Sequence, residues 1–206
     1  MAYDLNKITT HTPRLIGEDQ MFRAAVTICL IHTDHGYDVL LQTRSGKIAE
    51  QPGDVCLPGG SIEKGETPQE AALREACEEL LIQPEQLSFI GASDYHHFQR
   101  MIIYPFVAVL KDYQGDYNKD EVYEVFRVPL SFFLENEPAR FIIDSKAHPR
   151  EDFPFELVSG GSDYKWPTQY IEELFYKYEG HVIWGLTARI LNAFCEIIRE
   201  ERDLLP

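Results

Sequence analysis

The sequence has few of the features that mark secreted, membrane-spanning or redox proteins. Its cysteines, Cys29, Cys56, Cys77 and Cys195, lie far apart and form no Cys-x-x-Cys pair, so neither a structural zinc site nor a redox motif is indicated. The opening MAYDLNKITT has neither an apolar run nor a basic start, and the most apolar later stretches are short or interrupted by Pro105. We therefore expect a cytoplasmic protein that is neither secreted nor inserted in a membrane.

Basic residues are also scarce. The chain has 19 lysines and arginines against 34 acidic residues, a net charge of −15, which argues against duplex nucleic acid as a partner. A small phosphate-rich ligand can still bind where clustered carboxylates load divalent cations, because the cations present positive charge to the phosphates. The acidity therefore suits metal-mediated phosphate chemistry.

The remaining composition is that of an ordinary folded domain. With 206 residues, of which 44% are hydrophobic, the chain can bury one core. We expect a single domain over residues 1–206, with an N-terminal extension over about residues 1–20 and an elaborated C-terminal region over about residues 144–206. The sequence leaves open whether the chain pairs as a homodimer.

The hydrophobic pattern predicts an α+β fold with helices flanking a mixed sheet. A hairpin is predicted first, with a turn at Thr33 to Gly36 between two strands. The predicted strands are Phe22 to Ile31, Asp38 to Thr43, Leu87 to Ala92, Met101 to Leu110, Val122 to Val128 and Phe141 to Ile143.

Two helices and a further hairpin complete the prediction. One helix is expected from Pro68 to about Ile82, and another from about Leu186 to Arg202, where apolar residues recur at helical spacing. Between them, FELV and DYKW flank the turn-forming stretch Ser159 to Ser162. This pattern predicts a hairpin that elaborates the domain.

The first helix has a well-marked start. Thr67 can cap it, Pro68 suits its first position, and Glu70 completes a capping box three residues after Thr67. At 3.6 residues per turn, Glu75, Glu78 and Glu79 share one side of the helix.

The three glutamates suit a metal site. Hard divalent cations such as Mg²⁺ take oxygen ligands, and three clustered carboxylates supply them. The metals would polarise phosphoryl oxygens, while one carboxylate orients or deprotonates the attacking water. The glycines that precede the helix permit a tight loop, from which the Gly59 carbonyl can also reach a metal. A solvated helix face is the alternative, and the spacing alone does not exclude it.

The whole segment from Gly59 to Ile82 resembles the Nudix box. The match consists of Gly60, five residues, Glu66, seven residues, Arg74 and Glu75, two further residues, then Glu78 and Glu79. Since these identities stand at fixed spacing, the resemblance is highly specific. It implies a Nudix pyrophosphohydrolase with an α/β/α sandwich around a mixed sheet, dependent on Mg²⁺ or Mn²⁺.

The resemblance also implies roles for the residues of the box. Glu75, Glu78 and Glu79 would bind metal or activate water, with Gly59 as a further metal ligand, and Arg74 would hold the loop through Glu66. Leu81 departs from the pattern, because the box normally has glycine there. A glycine often ends a helix in the left-handed conformation, so we expect this helix to end differently, with Pro84 preventing its continuation.

Two flanking segments are similar to coenzyme A pyrophosphatases of this family. They are Leu40 to Gly60, which includes Arg44, and Ile183 to Leu191. Ala49 stands where those relatives often have arginine. The similarity implies hydrolysis of coenzyme A or a derivative to 3′,5′-ADP and the corresponding 4′-phosphopantetheine.

Five residues outside the box are weaker candidates. Arg44 can pair with a substrate phosphate, although a structural salt bridge is an equal alternative. His96 and His97, placed in a loop before the Met101 strand, are candidate substrate contacts or a base, with surface histidines as the alternative. Glu121 and Glu124 are candidates for an extra metal ligand or general base, with solvated side chains as the alternative.

Other functions stay open at this point. An enzyme of the same fold could cleave ADP-ribose, a dinucleotide or a nucleoside triphosphate. An isomerase of isoprenoid diphosphates and a non-catalytic nucleotide sensor are further alternatives, and the intact acidic run of the box argues against both. Fold does not determine substrate.

Overall fold

Groups of three or four strands are separated by single helices along the chain, and the computed structural model describes residues 8–12, 15–47, 51–98 and 100–199. The helices are α1 (Pro68–Leu80), α2 (Leu130–Glu135) and α3 (Gly185–Ile198). The strands are β1 (Phe22–Thr33), β2 (Gly36–Arg44), β3 (Val55–Cys56), β4 (Gly59–Ser61), β5 (Leu87–Ala92), β6 (His96–Phe98), β7 (Met101–Leu110), β8 (Val122–Pro129), β9 (Ala139–Ser145), β10 (Gln169–Tyr178) and β11 (His181–Trp184).

Eight of the strands form one mixed sheet. Its main order is β3-β2-β1-β7-β5, with β4 beside β1, β6 beside β7 and β8 beside β2. β1 and β7 run parallel, whereas the other pairs are antiparallel. The predicted mixed sheet is therefore confirmed.

β1 changes its partner along one edge, and this change positions the glycine loop. Residues 22–30 pair with β7 on one side. On the other side, residues 29–33 pair with β2, whereas residues 24–26 pair with β4. β2 and β4 thus follow each other along the same edge of β1, and the chain between them brings Gly59 and Gly60 to the middle of the sheet.

Helices cover both faces of this sheet. On one face, Ala76 and Leu80 of α1 pack against Cys29 and Leu40. On the other face, Leu191 of α3 belongs to a second core cluster. The strand residues of this cluster alternate with those that face α1, because successive side chains of a strand point to opposite faces of the sheet. The fold is the predicted α/β/α sandwich.

A second, smaller sheet of order β11-β10-β9 completes the layer that contains α2 and α3. Leu174, Tyr176 and Ile183 point from it into the same core as Phe133 of α2. The predicted Phe141 strand is confirmed and extends over the whole of β9. The predicted final helix is confirmed from Gly185 to Ile198, and its expected last residues lie outside the described part of the chain. Ala49 also lies outside the described residues.

Two predictions about individual strands and turns are wrong. Residues 159–162 do not form a hairpin, because FELV and the glycine stretch fold into short 3-10 turns at Phe155–Leu157 and Gly161–Asp163. The hairpin lies further on, where β10 and β11 meet at Tyr178 and His181. His96 and His97 lie in β6, paired with β7, and not in a loop.

Helix α1 begins as predicted and ends in a way that was not expected. The Thr67 hydroxyl accepts a hydrogen bond from the Glu70 amide, and the Glu70 carboxylate accepts one from the Thr67 amide at 2.8 Å. The helix stops at Leu80, and Leu81 has φ 51° and ψ 42°. Leu81 therefore adopts the left-handed conformation that glycine usually provides at this position, so the predicted change in helix ending is wrong.

None of the helices in residues 8–12, 15–47, 51–98 and 100–199 has both the length and the apolar composition to cross a bilayer.

Candidate active site

Arg74 connects the glycine loop to helix α1. Its Nε donates to Glu66 Oε1 at 2.7 Å and its Nη2 to Glu66 Oε2 at 3.1 Å, which makes a two-point ion pair. Nη2 also donates to the carbonyl oxygen of Ser61 at 3.0 Å. Because the guanidinium is planar and rigid, these bonds fix the loop against the helix. The hydrogen bonds from Arg74 lower the pKa of Glu66.

The same guanidinium lies between two glutamates of the helix. Nη1 of Arg74 is 2.8 Å from Glu75 Oε1 and 3.3 Å from Glu78 Oε2. Glu75 is mostly buried, whereas more than half of the Glu78 side chain is exposed. Burial raises the pKa of Glu75, and Arg74 opposes this rise. The positive charge of Arg74 therefore compensates two carboxylates that stand three residues apart.

Glu79 turns inward from the same helix. Only 5% of the residue is exposed, and its Oε2 accepts hydrogen bonds from the Gly59 amide and from Gln42 Nε2, both at 2.9 Å. Burial raises the pKa of Glu79 to about 7, and the charges of Glu75 and Glu121 add to the rise. The two hydrogen bonds favour the charged form but do not cancel the cost of burial.

Two glycines give the loop room to approach the helix. A Cβ atom on Gly60 would lie 2.5 Å from the Cδ atom of Glu75, so this position must lack a side chain for Glu75 to occupy its place. Gly59 has φ +154°, and a Cβ atom there would lie 2.6 Å from the Cα atom of Val26. Glycine is therefore required at position 59 because the backbone of Val26 is so near, and at position 60 because the carboxylate of Glu75 occupies the space of a side chain.

The three box glutamates do not form a closed cage. Within the described ranges, no three histidine, cysteine, aspartate or glutamate side chains converge closely enough to hold a metal ion. Arg74 separates Glu75 from Glu78, and Glu79 points to Gly59. The three carboxylates do share one end of the helix and one electrostatic environment, since Glu75 raises the pKa of Glu79 and Glu78 raises that of Glu75.

Glu121 and Glu124 lie on different sides of the sheet. The charge of Glu121 raises the pKa of both Glu75 and Glu79, so Glu121 lies near the helix glutamates. Glu124 accepts a hydrogen bond from Thr43 Oγ1 at 3.1 Å. Thr43 follows Gln42 in β2 and points to the opposite face. The structure therefore brings Glu121 to the candidate site and leaves Glu124 on the face that α3 covers.

Glu124 instead lines a separate polar cavity. Its Oε1 is 3.8 Å from His181 Nδ1, and the imidazole of His181 stacks on Phe126 with ring centroids 3.7 Å apart. The cavity, of about 350 Å³, is also lined by Thr43 and Trp184.

The candidate substrate contacts Arg44, His96 and His97 do not lie together. The pKa of Cys56 is raised to about 11 by burial and by Glu79, and lowered by a hydrogen bond from Arg44. Arg44 therefore lies beside Cys56, which is itself close enough to Glu79 to be affected by its charge. His96 pairs with Ile103, whose side chain belongs to the core beneath α3, and its pKa is lowered by burial and then by Arg189. His96 is thus on the face opposite Glu79, and His97, which is exposed, points the other way.

Gln42 is the residue of this region that the sequence analysis missed. It is 1% exposed, and its Nε2 contacts both Glu79 Oε2 and, at 3.6 Å, Cys56 Sγ. Its Oε1 atom is buried without a hydrogen-bond partner in the described residues. The sequence contains one indication of its role, since Gln42 is the only amide in the apolar run VLLQT. A polar side chain buried in such a strand needs a hydrogen-bond partner.

Sequence comparisons agree with the motif. The family described as the NUDIX domain matches residues 21–145, which is more than half of the chain. A Mus musculus protein named peroxisomal coenzyme A diphosphatase is 33% identical over 129 residues, or 61% of this chain and 49% of that protein. An Arabidopsis thaliana protein named mitochondrial Nudix hydrolase 15 is 32% identical over 180 residues, or 82% of this chain and 56% of that protein. The chain thus spans about half the length of these curated relatives.

Solved structures give a weaker likeness. A Caenorhabditis elegans Ap4A hydrolase in a binary complex has a TM-score of 0.46 at 20% identity, over 55% of this chain and 84% of that chain. A Nudix hydrolase from M. smegmatis has a TM-score of 0.43 at 23% identity, over 54% of this chain and 72% of that chain.

Proposed function

The chain belongs to the Nudix family, and we propose that it uses water and divalent cations to hydrolyse the diphosphate bond of coenzyme A or one of its derivatives. The products are 3′,5′-ADP and the corresponding 4′-phosphopantetheine. The observation that carries the proposal is the environment of Glu79, a buried carboxylate whose pKa is raised further by the neighbouring charges of Glu75 and Glu121.

This environment fits a divalent cation. A buried carboxylate beside two others is unfavourable when all are ionised, and a cation removes the repulsion. The available donors are carboxylate oxygens and a backbone carbonyl, which are the ligands that Mg²⁺ and Mn²⁺ prefer. We assign the ligands as Glu75, Glu78, Glu79 and the carbonyl oxygen of Gly59. Glu78 is the most exposed of the three glutamates and is the freest to turn toward an ion.

When bound, divalent cations would supply Lewis-acid polarisation of the phosphoryl oxygens and would lower the pKa of a water molecule. The protein residues then orient the reactants. Arg74 keeps the loop of Gly59 and Gly60 at the helix through Glu66 and Ser61, so that the ligands stay in place. Glu121 immediately precedes β8 and lies near the helix glutamates, and we assign it as the base that takes the proton from the attacking water.

Two observations support coenzyme A as the substrate class. One relative is named a coenzyme A diphosphatase. In addition, the two segments that resemble coenzyme A pyrophosphatases meet in the fold, because Thr187 Oγ1 of α3 donates to the Val55 carbonyl oxygen at 3.0 Å. Arg44, at the end of β2 beside Cys56, is the candidate contact for a substrate phosphate. His96 and His97 are weaker candidates, because β6 lies beyond β7 from the glycine loop.

Product analysis tests the substrate and the reaction together. The protein is incubated with Mn²⁺ or Mg²⁺ and coenzyme A, ADP-ribose or diadenosine polyphosphate in ¹⁸O-enriched water, and the products are identified by mass spectrometry. We expect 3′,5′-ADP and 4′-phosphopantetheine from coenzyme A, with one heavy oxygen in one of them. Efficient cleavage of ADP-ribose with coenzyme A left intact would refute the substrate assignment.

Variants separate catalysis from binding. Glu78→Gln and Glu79→Gln should each lower kcat by about 100-fold or more, because a ligand to the catalytic cation is lost. Glu85→Gln, in the turn after α1, is a matched control that should keep full activity. Unchanged turnover in both box variants would remove the mechanism. Retained binding of nucleotide without turnover in the wild-type protein would favour a sensor.

We propose the cytoplasm as the compartment of the chain. All four cysteines are free thiols, which fits a reducing environment such as the cytoplasm. Relatives carry names that place them in peroxisomes, mitochondria and chloroplasts. Fluorescence microscopy of the tagged chain in its own cells, with the tag at either end, would decide among these compartments.

A further inference from the structure

The second sheet has an open edge. β9 is the last strand in the order β11-β10-β9, and among the described residues no strand pairs with its outer side. Six of its seven residues are exposed, and Phe141, Ile142 and Ile143 are exposed by 59%, 60% and 49%. Proteins usually protect such an edge with lysine, proline or a β-bulge. β9 has neither residue, and its pairing with β10 runs without a register shift.

The sequence of β9 is complementary to itself. When a second copy of Ala139–Ser145 is laid antiparallel beside the first with Ile142 opposite Ile142, Phe141 faces the partner's Ile143. In the same register Arg140 faces the partner's Asp144. Opposite charges and apolar side chains at directly opposed positions both stabilise an antiparallel pair. A shift of the register by one residue would lose these matches.

We propose that two copies of this chain pair edge to edge through β9, around a two-fold axis at Ile142. Their two small sheets then join into one continuous sheet. Such a contact is isologous, because each chain presents the same seven residues to the other. This proposal concerns assembly and does not depend on the proposed activity.

The charges around Arg140 are compatible with this pairing. Within one chain, Arg140 Nη1 is 2.9 Å from Glu172 Oε2 and Nη2 is 3.8 Å from Glu137 Oε2. A guanidinium has five N–H donors, so it can also meet the partner's Asp144. Two acidic groups already share this one arginine, so the contribution of the partner's Asp144 to the pairing is mainly to the register, through a hydrogen bond to a free N–H group.

The pairing also extends beyond the strand. In this register the partner's Ser145 lies opposite Ala139, which is at the rim of a groove of about 600 Å³ that Phe141, Phe175 and Val182 also line. The partner residues that follow the strand are thereby brought to an apolar surface. Burial of the groove would enlarge the contact toward the area that a stable dimer needs.

Sedimentation velocity of the full chain over a wide concentration range tests the proposal. We expect a reversible equilibrium between monomer and dimer. Ile142→Lys places two lysines opposite each other at the axis and should weaken the dimer by about 100-fold or more. Ile90→Lys is the matched control, because Ile90 is an isoleucine of similar exposure on β5, the edge strand of the large sheet. It should leave the equilibrium unchanged.

Exchange of the two charges tests the register itself. Arg140→Asp and Asp144→Arg each place like charges opposite each other in a homodimer, so each variant alone should be monomeric. A mixture of the two variants restores both opposed pairs and should form a heterodimer. Retained circular dichroism and thermal unfolding of each variant would show that the fold survives.

Three results would overturn the proposal. They are a wild-type chain that stays monomeric at every concentration, a dimer that Ile90→Lys dissociates as strongly as Ile142→Lys, and charge variants that fail to associate when mixed. Capture of a foreign extended peptide by a monomeric wild-type chain would also count against it.

Discussion

Gln42 donates from Nε2 to Glu79 Oε2 across a distance of 2.9 Å, and both side chains are buried. The two residues belong to different layers, since Gln42 lies in β2, an interior strand of the large sheet, and Glu79 in the helix that covers it. The contact therefore joins the sheet to the carboxylate helix at the point where the proposed chemistry occurs. A hydrogen bond to a buried charged group contributes more to stability than one between neutral groups.

Replacement of Gln42 should show this contribution. Gln42→Met keeps a similar volume but removes the donor, so we expect a loss of about 1–3 kcal/mol in the free energy of unfolding above pH 7. The loss should be smaller at pH 5, where Glu79 is protonated. Urea denaturation at both pH values measures the difference. Thr43→Val, which removes a hydrogen bond to the partly exposed Glu124, is the control, and an equal effect of both variants would contradict the expectation.

The stability of the metal-free protein should depend on the ionisation of Glu79. Its pKa rises from an ordinary 4.5 to about 7 in the folded chain, so between these values the folded state binds more protons than the unfolded state. Stability then falls as pH rises from about 4.5 to 7. The shift corresponds to about 3 kcal/mol.

Glu79→Gln isolates this effect. Urea unfolding in the presence of a chelator, with wild type and variant compared at each pH, should give a difference that grows in favour of the variant as pH rises through that interval. Excess Mg²⁺ should stabilise the wild type and reduce the difference, because a ligand that binds only the folded state raises its stability. A difference that is constant with pH would contradict the raised pKa.

Glu121 and Glu124 should differ in their effect on turnover. Glu121 lies near the helix glutamates, so Glu121→Gln should lower kcat by about 100-fold or more at saturating metal, as expected for loss of a general base. Glu124→Gln is the matched control on the other face of the sheet and should change kcat little. Steady-state kinetics over a range of pH separates the two residues, and a larger effect of Glu124→Gln would reverse the assignment.

The two loop glycines should respond differently to a methyl group. At Gly60 the added Cβ meets the mobile end of Glu75, so Gly60→Ala should keep the fold while it displaces a proposed ligand and lowers activity. At Gly59 it meets the backbone of Val26 at a strained φ, so Gly59→Ala should cost about 2–4 kcal/mol. Thermal unfolding and activity measured on both variants test the contrast.

The sequence predicted those parts of the fold that depend on local signals. The capping box of Thr67 and Glu70 and the apolar strands were correct because they need only neighbouring residues. The hairpin near Gly160 was wrong because glycines favour any tight turn, and β10 pairs with β9 and β11, which lie outside that local pattern. The position of Glu124 could not be predicted, because its face depends on how β8 pairs with β2. The role of Gln42 could not be predicted either, because it depends on the position of Glu79 in the folded chain.

Leu81 holds a strained backbone conformation at the end of α1. A left-handed conformation costs about 1–2 kcal/mol for a residue with a Cβ atom, and Leu81 adopts it at φ 51°. Glycine removes this cost but loses more entropy on folding, and the exposed leucine side chain makes few contacts to lose. Leu81→Gly should therefore raise the free energy of unfolding by about 0.5–1 kcal/mol, whereas Leu81→Ala keeps the strain and should give no gain. Because the carboxylates precede Leu81 in the helix, kcat should stay the same in both variants. Urea unfolding and steady-state kinetics check the two parts, and a destabilised glycine variant would show that the leucine side chain stabilises the helix end through contacts that outweigh the backbone strain.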